Sequence, residues 1–468
     1  MRRMRLFLTL TCITLLLLPA KAERVDIEKA EKIARSYTHT TPRLAARKAL
    51  RHSRTVTEPL QRNRSALRSA GQGVVQQEEP LYHVFTMNGD GGFIIISGDD
   101  VAKPVLGYAD EGMFDESNPN LAYWMGALAQ EIAGAIESGV LQDVQTKAAW
   151  DALYSSSIPL TASGDYMDPL VKTKWDQGAP YNNLCPMSSG ERTVTGCVAT
   201  AVAQIMKYHE HPTTRTVTIP GYTTGTRKIT IPAITGTTAY DWDNMTNTYT
   251  SSSTGAPASA VATLMYHCGA GVKMDYNTSA NGGSGAYSQD VVQALKTYFN
   301  YDAGIAYHQR NYYTYAVWIA LLKAEIRANR PVYYAGYGGG GHAFVCDGYD
   351  TGNLFHFNWG WGGISNGYFE VSALNPGSLG IGGGAGGFNE NQELITGIRP
   401  NQGGSGEQPA IRLGLSTFSA GKTSLYNVTE SFSVSAGNLT NTGITTIASA
   451  YLGVLLYNQD GSYRDHKT

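Results

Sequence analysis

Two side chains in this sequence carry chemistry that each could perform only with a partner. Cys197 stands in Thr195-Gly196-Cys197-Val198-Ala199-Thr200-Ala201, a turn running into an Ala-rich helical pattern that reaches Tyr208 and stops before Pro212. That places the thiol in the first turn of a buried helix, where unpaired N–H groups and the positive end of the helix favour thiolate. His342 follows a run of four glycines, Gly338 to Gly341, at the entry to an apolar strand pattern, Ala343-Phe344-Val345-Cys346. Glycines there let another backbone approach closely. Asn358 ends the next strand pattern, Leu354 to Asn358, ahead of Trp359-Gly360-Trp361-Gly362-Gly363. A thiol, an imidazole base and an amide that holds the imidazole's tautomer make a nucleophile for acyl transfer. The three follow one another in the chain as Cys, His, Asn.

The remaining polar candidates have simpler expected roles. His209 and His211 flank a helix end beside Pro212 and are expected to cap it or meet solvent. His356 alternates with Phe355 and Phe357 and is expected to pack. Cys346 is expected to fill core, and Cys185 and Cys268 show no recognisable chemistry. No Cys-x-x-Cys pair marks a zinc site, so neither metal nor cofactor is expected. The run Gly380 to Gly387 lacks the lysine and the strand-to-helix setting of a phosphate loop and reads as a loop near the cleft.

The elements that must position these residues follow from the rest of the chain. It has 468 residues, 42% hydrophobic and only 16% charged, with 53 glycines and 29 tyrosines. Such a chain can bury several cores, and its net charge of -2 provides no basic field for nucleic acid. Met1-Arg2-Arg3-Met4-Arg5, the apolar Leu6 to Leu18 and Ala20-Lys21-Ala22 form a signal peptide over residues 1–22. The apolar run is too short to span a membrane, so a secreted or cell-surface protein is expected. Residues 23–165 read as a small α+β unit and linker: helices around Val25 to Tyr37 and Leu121 to Ser138, a hairpin across Leu81 to Gly98, and a linker from Ser155 to Asp165. Residues 166–400 hold the Cys, the His and most of the Trp and Gly. Residues 401–468 begin with a glycine linker and continue as short strands, the start of a β-sandwich that the chain leaves unfinished, so a fragment of a longer protein is expected.

Several segments resemble the streptopain family of secreted bacterial cysteine peptidases. They are Gly196-Cys197-Val198-Ala199-Thr200-Ala201, Gln204-Ile205-Met206-Lys207-Tyr208-His209, Gly341-His342-Ala343-Phe344-Val345 and Asn358-Trp359-Gly360-Trp361-Gly362-Gly363. Asp176-Gln177-Gly178, Pro180-Tyr181-Asn182, Ala373-Leu374-Asn375-Pro376 and Gly382 to Phe388 are similar too. The resemblance covers about residues 168–400, and the layout is similar to the multi-domain interpain type. It implies an α+β, two-lobed papain-like fold with an N-terminal inhibitory prodomain. It also implies an endopeptidase made as a zymogen, acting on extracellular proteins through an acyl-enzyme and preferring a hydrophobic residue two positions before the cleaved bond. By resemblance Cys197 is the nucleophile, His342 the base and Gln177 an oxyanion donor. Ser284 and Gly341 contact substrate, and either Asn358 or Trp359 orients the imidazole. The expected partners are protein and peptide substrates and the chain's own prodomain, which a cut in the linker would release by mass action. Two other readings use the same residues: a binding protein with a decayed peptidase domain, and a transglutaminase or cell-wall amidase. Intact Cys197 and His342 oppose the first, and no flanking residues of the second are present.

Overall fold

The computed structural model describes residues 22–44, 49–58, 79–88, 91–155, 165–337, 341–374 and 392–403, with isolated strands beyond 412. Residues 1–21 of the expected signal peptide, 156–164 of the expected linker and the glycine runs at 338–340 and 380–387 lie outside the described residues. The N-terminal unit opens with α1 (Ile27–Thr40), capped by the Asp26 carboxylate on the Lys29 N–H. Four strands follow: β1 (Leu50–Glu58), β2 (Glu79–Met87), β3 (Phe93–Ser97) and β4 (Val105–Ala109). Then come α2 (Pro119–Glu137) and α3 (Val144–Tyr154). Helix α2 starts where the sequence signals it: Asn118 accepts from the N–H groups of Asn120 and Leu121, and Pro119 takes the first helical position.

The second unit holds α4 (Cys197–His209), α5 (Gly255–Gly271), α6 (Ser288–Tyr298) and α7 (Tyr315–Arg327). Its loops carry three two-stranded ribbons. These are β5 (Met187–Ser188) with β6 (Glu191–Arg192), β7 (Thr214–Arg215) with β10 (Thr238–Ala239), and β8 (Tyr222–Thr223) with β9 (Thr230–Ile231). The strands of its main sheet are β11 (Ala306–Gln309), β12 (Val332–Tyr337), β13 (Gly341–Tyr349), β14 (Phe355–Asn358), β15 (Gly367–Phe369) and β16 (Gln392–Thr396). Beyond residue 412, β17 (Leu413–Leu415) pairs with β20 (Leu439–Asn441), β18 (Phe418–Ala420) with β19 (Val434–Ala436), and β21 (Val454–Tyr457) with β22 (Tyr463–Lys467).

The two units do not have separate sheets. One ten-stranded sheet runs β1-β2-β3-β4-β15-β14-β13-β12-β16-β11. The seam is antiparallel, with Tyr368 opposite Tyr108 and Phe369 opposite Gly107. Three apolar cores pack on it. Helices α4, α5 and α6 cover Tyr333, Ala335, Ala343 and Val345. Helices α2 and α7 cover Tyr334, Phe344, Phe357 and Phe369, so α2 reaches across the seam. Helices α1 and α3 back the N-terminal strands. The alternation along β13 explains the split: Ala343 and Val345 point to the α4 side, Phe344 and Cys346 to the α2 side.

Candidate active site

Cys197 is the first residue of α4. Gly196 precedes it at φ 86°, a conformation that favours glycine, and a Cβ there would fall 2.7 Å from Met274 Sδ and 2.8 Å from the Ser284 carbonyl oxygen. No side chain caps α4, which leaves its first-turn N–H groups free of that competition. Residues Val198 to Met206 are all buried, as expected for a helix apolar all round. His342 is the second residue of β13 and pairs with Gly336 of β12. Cys197 and His342 therefore reach one cleft of ≈ 330 Å³. Its walls are apolar at Ala286, Tyr333, Ala335 and Ala343 and polar at Thr226, Asp275 and Asn277.

Nucleophile and base share the cleft but are not joined. Among the described contacts no hydrogen bond links them, and Cys197 Sγ is 4.0 Å from the Gly341 carbonyl oxygen. Burial pushes the Cys197 thiol up from its ordinary value, against the downward pull of the Ala343, Val198 and Cys197 N–H groups. Burial also lowers the His342 imidazole. Both shifts favour the neutral pair, the reverse of the thiolate expected from the helix position alone.

Helix α2 packs against the same imidazole. The Tyr123 ring rests against the His342 ring, centroids 5.3 Å apart and planes tilted by 46°. It fills the place where Gly336 has no side chain, since a Cβ on Gly336 would lie 3.0 Å from Tyr123 Cε1. One turn earlier, the buried Asn120 amide donates to the Trp359 carbonyl at 2.6 Å and the Ala343 carbonyl at 3.3 Å. The Asn118 amide donates to the Ile364 carbonyl at 2.9 Å. The start of α2 is thus fastened to the backbone beside both His342 and Asn358. Sequence reasoning passed over these three residues. The signal available was an Asn-Pro-Asn start on an otherwise apolar helix.

The other expected site residues take different places. Asn358 lies opposite Val345, not His342. Its amide donates to the Thr173 carbonyl at 2.6 Å and accepts from Gln204 Nε2 and the Gly360 N–H. Trp359 is fully buried among Trp124, Phe344, Phe357 and Phe369, and its indole N–H donates to the Ser365 carbonyl. Neither residue touches the His342 ring among the described contacts, so the expectation that one orients it is not met with Tyr123 in place. Gln177 is buried, and its carbonyl accepts from the Thr195 N–H two residues before Cys197, but it is not among the residues lining the cleft. Ser284 does not line the cleft either. Its hydroxyl donates to the Val194 and Asn277 carbonyls, and its neighbours Gly283 and Gly285 form the wall instead. Gly341 does line it.

Among the simpler roles, His209 and His211 bond the Ile398 and Asn300 carbonyls. Cys346, Cys185 and Cys268 are buried free thiols. His356 does more than pack, meeting the Asp347 carboxylate at 2.6 Å. No group of three or more His, Cys, Asp or Glu residues among those described could hold a metal. No described helix is long and apolar enough to cross a membrane.

Known proteins resemble this chain in both sequence and fold. The sequence profile of the Peptidase C10 family matches residues 175–369, and that of the Spi protease inhibitor matches residues 22–132. The chain is 36% identical over 343 residues to the thiol protease/hemagglutinin PrtT of Porphyromonas gingivalis, which takes in 72% of this chain but only 38% of that protein. It is 38% identical over 344 residues to streptopain of Streptococcus pyogenes, taking in 68% of this chain and 80% of streptopain. A solved fragment of Prevotella intermedia prointerpain A superposes with a TM-score of 0.56 at 32% identity, over 69% of this chain and 97% of the fragment. That match places an α+β papain-like peptidase fold, prodomain included, in this chain. With 80% of streptopain covered at that identity, the chain belongs to the Peptidase C10 family of cysteine peptidases.

Proposed function

We propose that this chain is a secreted endopeptidase in its latent form, with residues 23–165 as inhibitory prodomain and linker and 166–400 as the catalytic domain. The observation that carries the reading is a single contact. Cys197 and His342 open on one cleft while Tyr123, from the region similar to a protease inhibitor, lies on the imidazole. In the released enzyme the His342 ring is free to turn to Cys197 and take its proton. The thiolate attacks the scissile carbonyl, and the developing oxyanion meets the Cys197 N–H at the start of α4, with Gln177 as second donor. His342 returns the proton to the leaving amine. Water then hydrolyses the acyl-enzyme, with the same imidazole as base. Asn358 or Trp359 supports the imidazole only in that state. Residues 1–22 direct export, and the substrates are extracellular proteins.

The test is to express the full chain, follow casein hydrolysis and sequence the N-terminus of the processed product. Cys197→Ala is expected to give a folded chain that neither processes itself nor cleaves casein, a loss on the order of 10³–10⁶ in rate. Casein turnover near the unmodified rate by that variant would overturn the reading.

A further inference from the structure

One carboxyl in the cleft wall has no part in the chemistry described above. Asp275 is the sole carboxylate among the described lining residues, and it is half-buried. Its backbone is pinned across from Gly285, with Asp275 N–H to the Gly285 carbonyl at 2.8 Å and the return bond at 3.3 Å. Its side chain is held by the tip of the β8–β9 ribbon. The Thr226 N–H donates to Oδ1 at 3.1 Å and Oδ2 at 3.2 Å, and the Thr226 hydroxyl to Oδ2 at 2.6 Å. Among the described residues no Lys, Arg or His lies within ion-pair distance of it. The exposed Arg227 on the same tip gives its Nε–H to Asn277 Oδ1 at 2.8 Å instead. A carboxylate has about four acceptor positions, and Thr226 does not use them all. Gly283 and Gly285 beside it add no side chain to the wall.

We propose that Asp275 is a specificity-determining residue that recruits a cationic substrate side chain, lysine or arginine, next to the apolar walls of the cleft. The inference rests on the peptidase reading and deepens it. Tying the ribbon tip explains the three bonds from Thr226. It does not require the charge to face the substrate path with no counter-ion. A partly exposed pair of this kind is worth about three- to fivefold in relative specificity and weakens with salt. Arg227, Lys228 and Lys273 are the nearby exposed cations. If their field dominated, the preference would be for acidic side chains instead.

The experiment uses quenched peptides with an apolar residue fixed two positions before the scissile bond. Each remaining position is varied in turn among Lys, Met and Glu, and kcat/KM is measured for the processed enzyme at low salt and in 0.5 M salt. At one position Lys is expected to exceed Met about three- to fivefold, the gap closing in salt. In Asp275→Asn, which keeps an acceptor for Thr226, the Lys-to-Met ratio is expected to approach one. A second variant, Asp275→Ser, and peptide binding to Cys197→Ala by fluorescence anisotropy read the same ratio if Asn misfolds or turnover is absent. Absence of a Lys preference at every position, its persistence in both variants, or a Glu preference lost in Arg227→Gln would overturn the proposal. Turnover of the Met peptides tests the peptidase reading separately.

Discussion

Lys103 of the N-terminal unit is a cation whose loss the structure makes costly. Its Nζ donates to Glu370 Oε2 at 2.7 Å, to the Tyr315 hydroxyl at 2.8 Å and to the Ser372 carbonyl at 3.1 Å, with side-chain exposures of 15% for Lys103 and 7% for Glu370. Burial pushes Glu370 up to about 7, with Lys103 the main opposing influence. In Lys103→Met the carboxyl loses its cation and keeps the Tyr315 hydroxyl at 3.4 Å. Stranding a buried charge costs about 3–5 kcal/mol. Protonating Glu370 is the escape, and each pH unit above its pKa adds ~1.4 kcal/mol to that route. The sign follows: a carboxyl raised in the docked state contributes to docking at low pH, and that contribution is lost as pH rises through about 7. The variant's Glu370 lies higher still, so its defect grows toward alkaline pH. Separately expressed residues 23–150, checked for folding by circular dichroism, are expected to inhibit casein hydrolysis by the processed enzyme. The Lys103→Met fragment is expected to be weaker by about 10²–10³ at pH 8.5. At pH 6 the defect shrinks to the ~1–2 kcal/mol of the lost hydrogen bonds. Equal inhibition at pH 8.5, or a larger defect at pH 6, would refute the reasoning.

The other predictions follow from the cleft. Tyr123→Ala in a full-length chain is expected to let His342 reach Cys197, raising the rate of iodoacetamide modification near neutral pH by about tenfold; an unchanged rate counts against Tyr123 as the block. Because burial raises the thiol and lowers the imidazole in the precursor, its modification rate should climb only at alkaline pH. The processed enzyme should react already between pH 5 and 8, and coincident profiles would contradict this. Gly196→Ala meets Met274 and the Ser284 carbonyl at positive φ and is expected to cost about 1–3 kcal/mol in thermal or denaturant unfolding and to shift Cys197 out of register. Full activity with unchanged stability would show that the loop relaxes freely.

Local chemistry made half of this site legible in the sequence. Gly196 before an Ala-rich helix marks Cys197, and a glycine run entering a strand marks His342, because both signals lie within a few residues. Asn358 illustrates the limit. Strand patterns give neighbouring strands but not register, and here Asn358 stands opposite Val345 with its amide on the Thr173 carbonyl. The α2 contacts lie further out of reach. Asn120 bonds carbonyls 223 and 239 positions downstream, and no local pattern encodes which distant backbone a helix start will meet. The N-terminal α+β unit was recognisable as helices and a hairpin. Its merger with the peptidase sheet was not, since β4 and β15 are ordinary short strands whose pairing is a tertiary fact.

That merger changes what a cut in the connecting segment accomplishes. Severing residues 156–164 breaks no hydrogen bond between Tyr108 and Tyr368, no apolar contact under α2 and no part of the Lys103–Glu370 pair. What it abolishes is the tether, and with it an effective concentration on the order of millimolar. From then on the two pieces obey ordinary bimolecular binding, and the volume they occupy decides how many stay together. For the latent form proposed above, a nicked pair is expected to stay closed in a small compartment and to come apart on dilution into a large external volume, so that dilution as well as the cut would set the moment of activity.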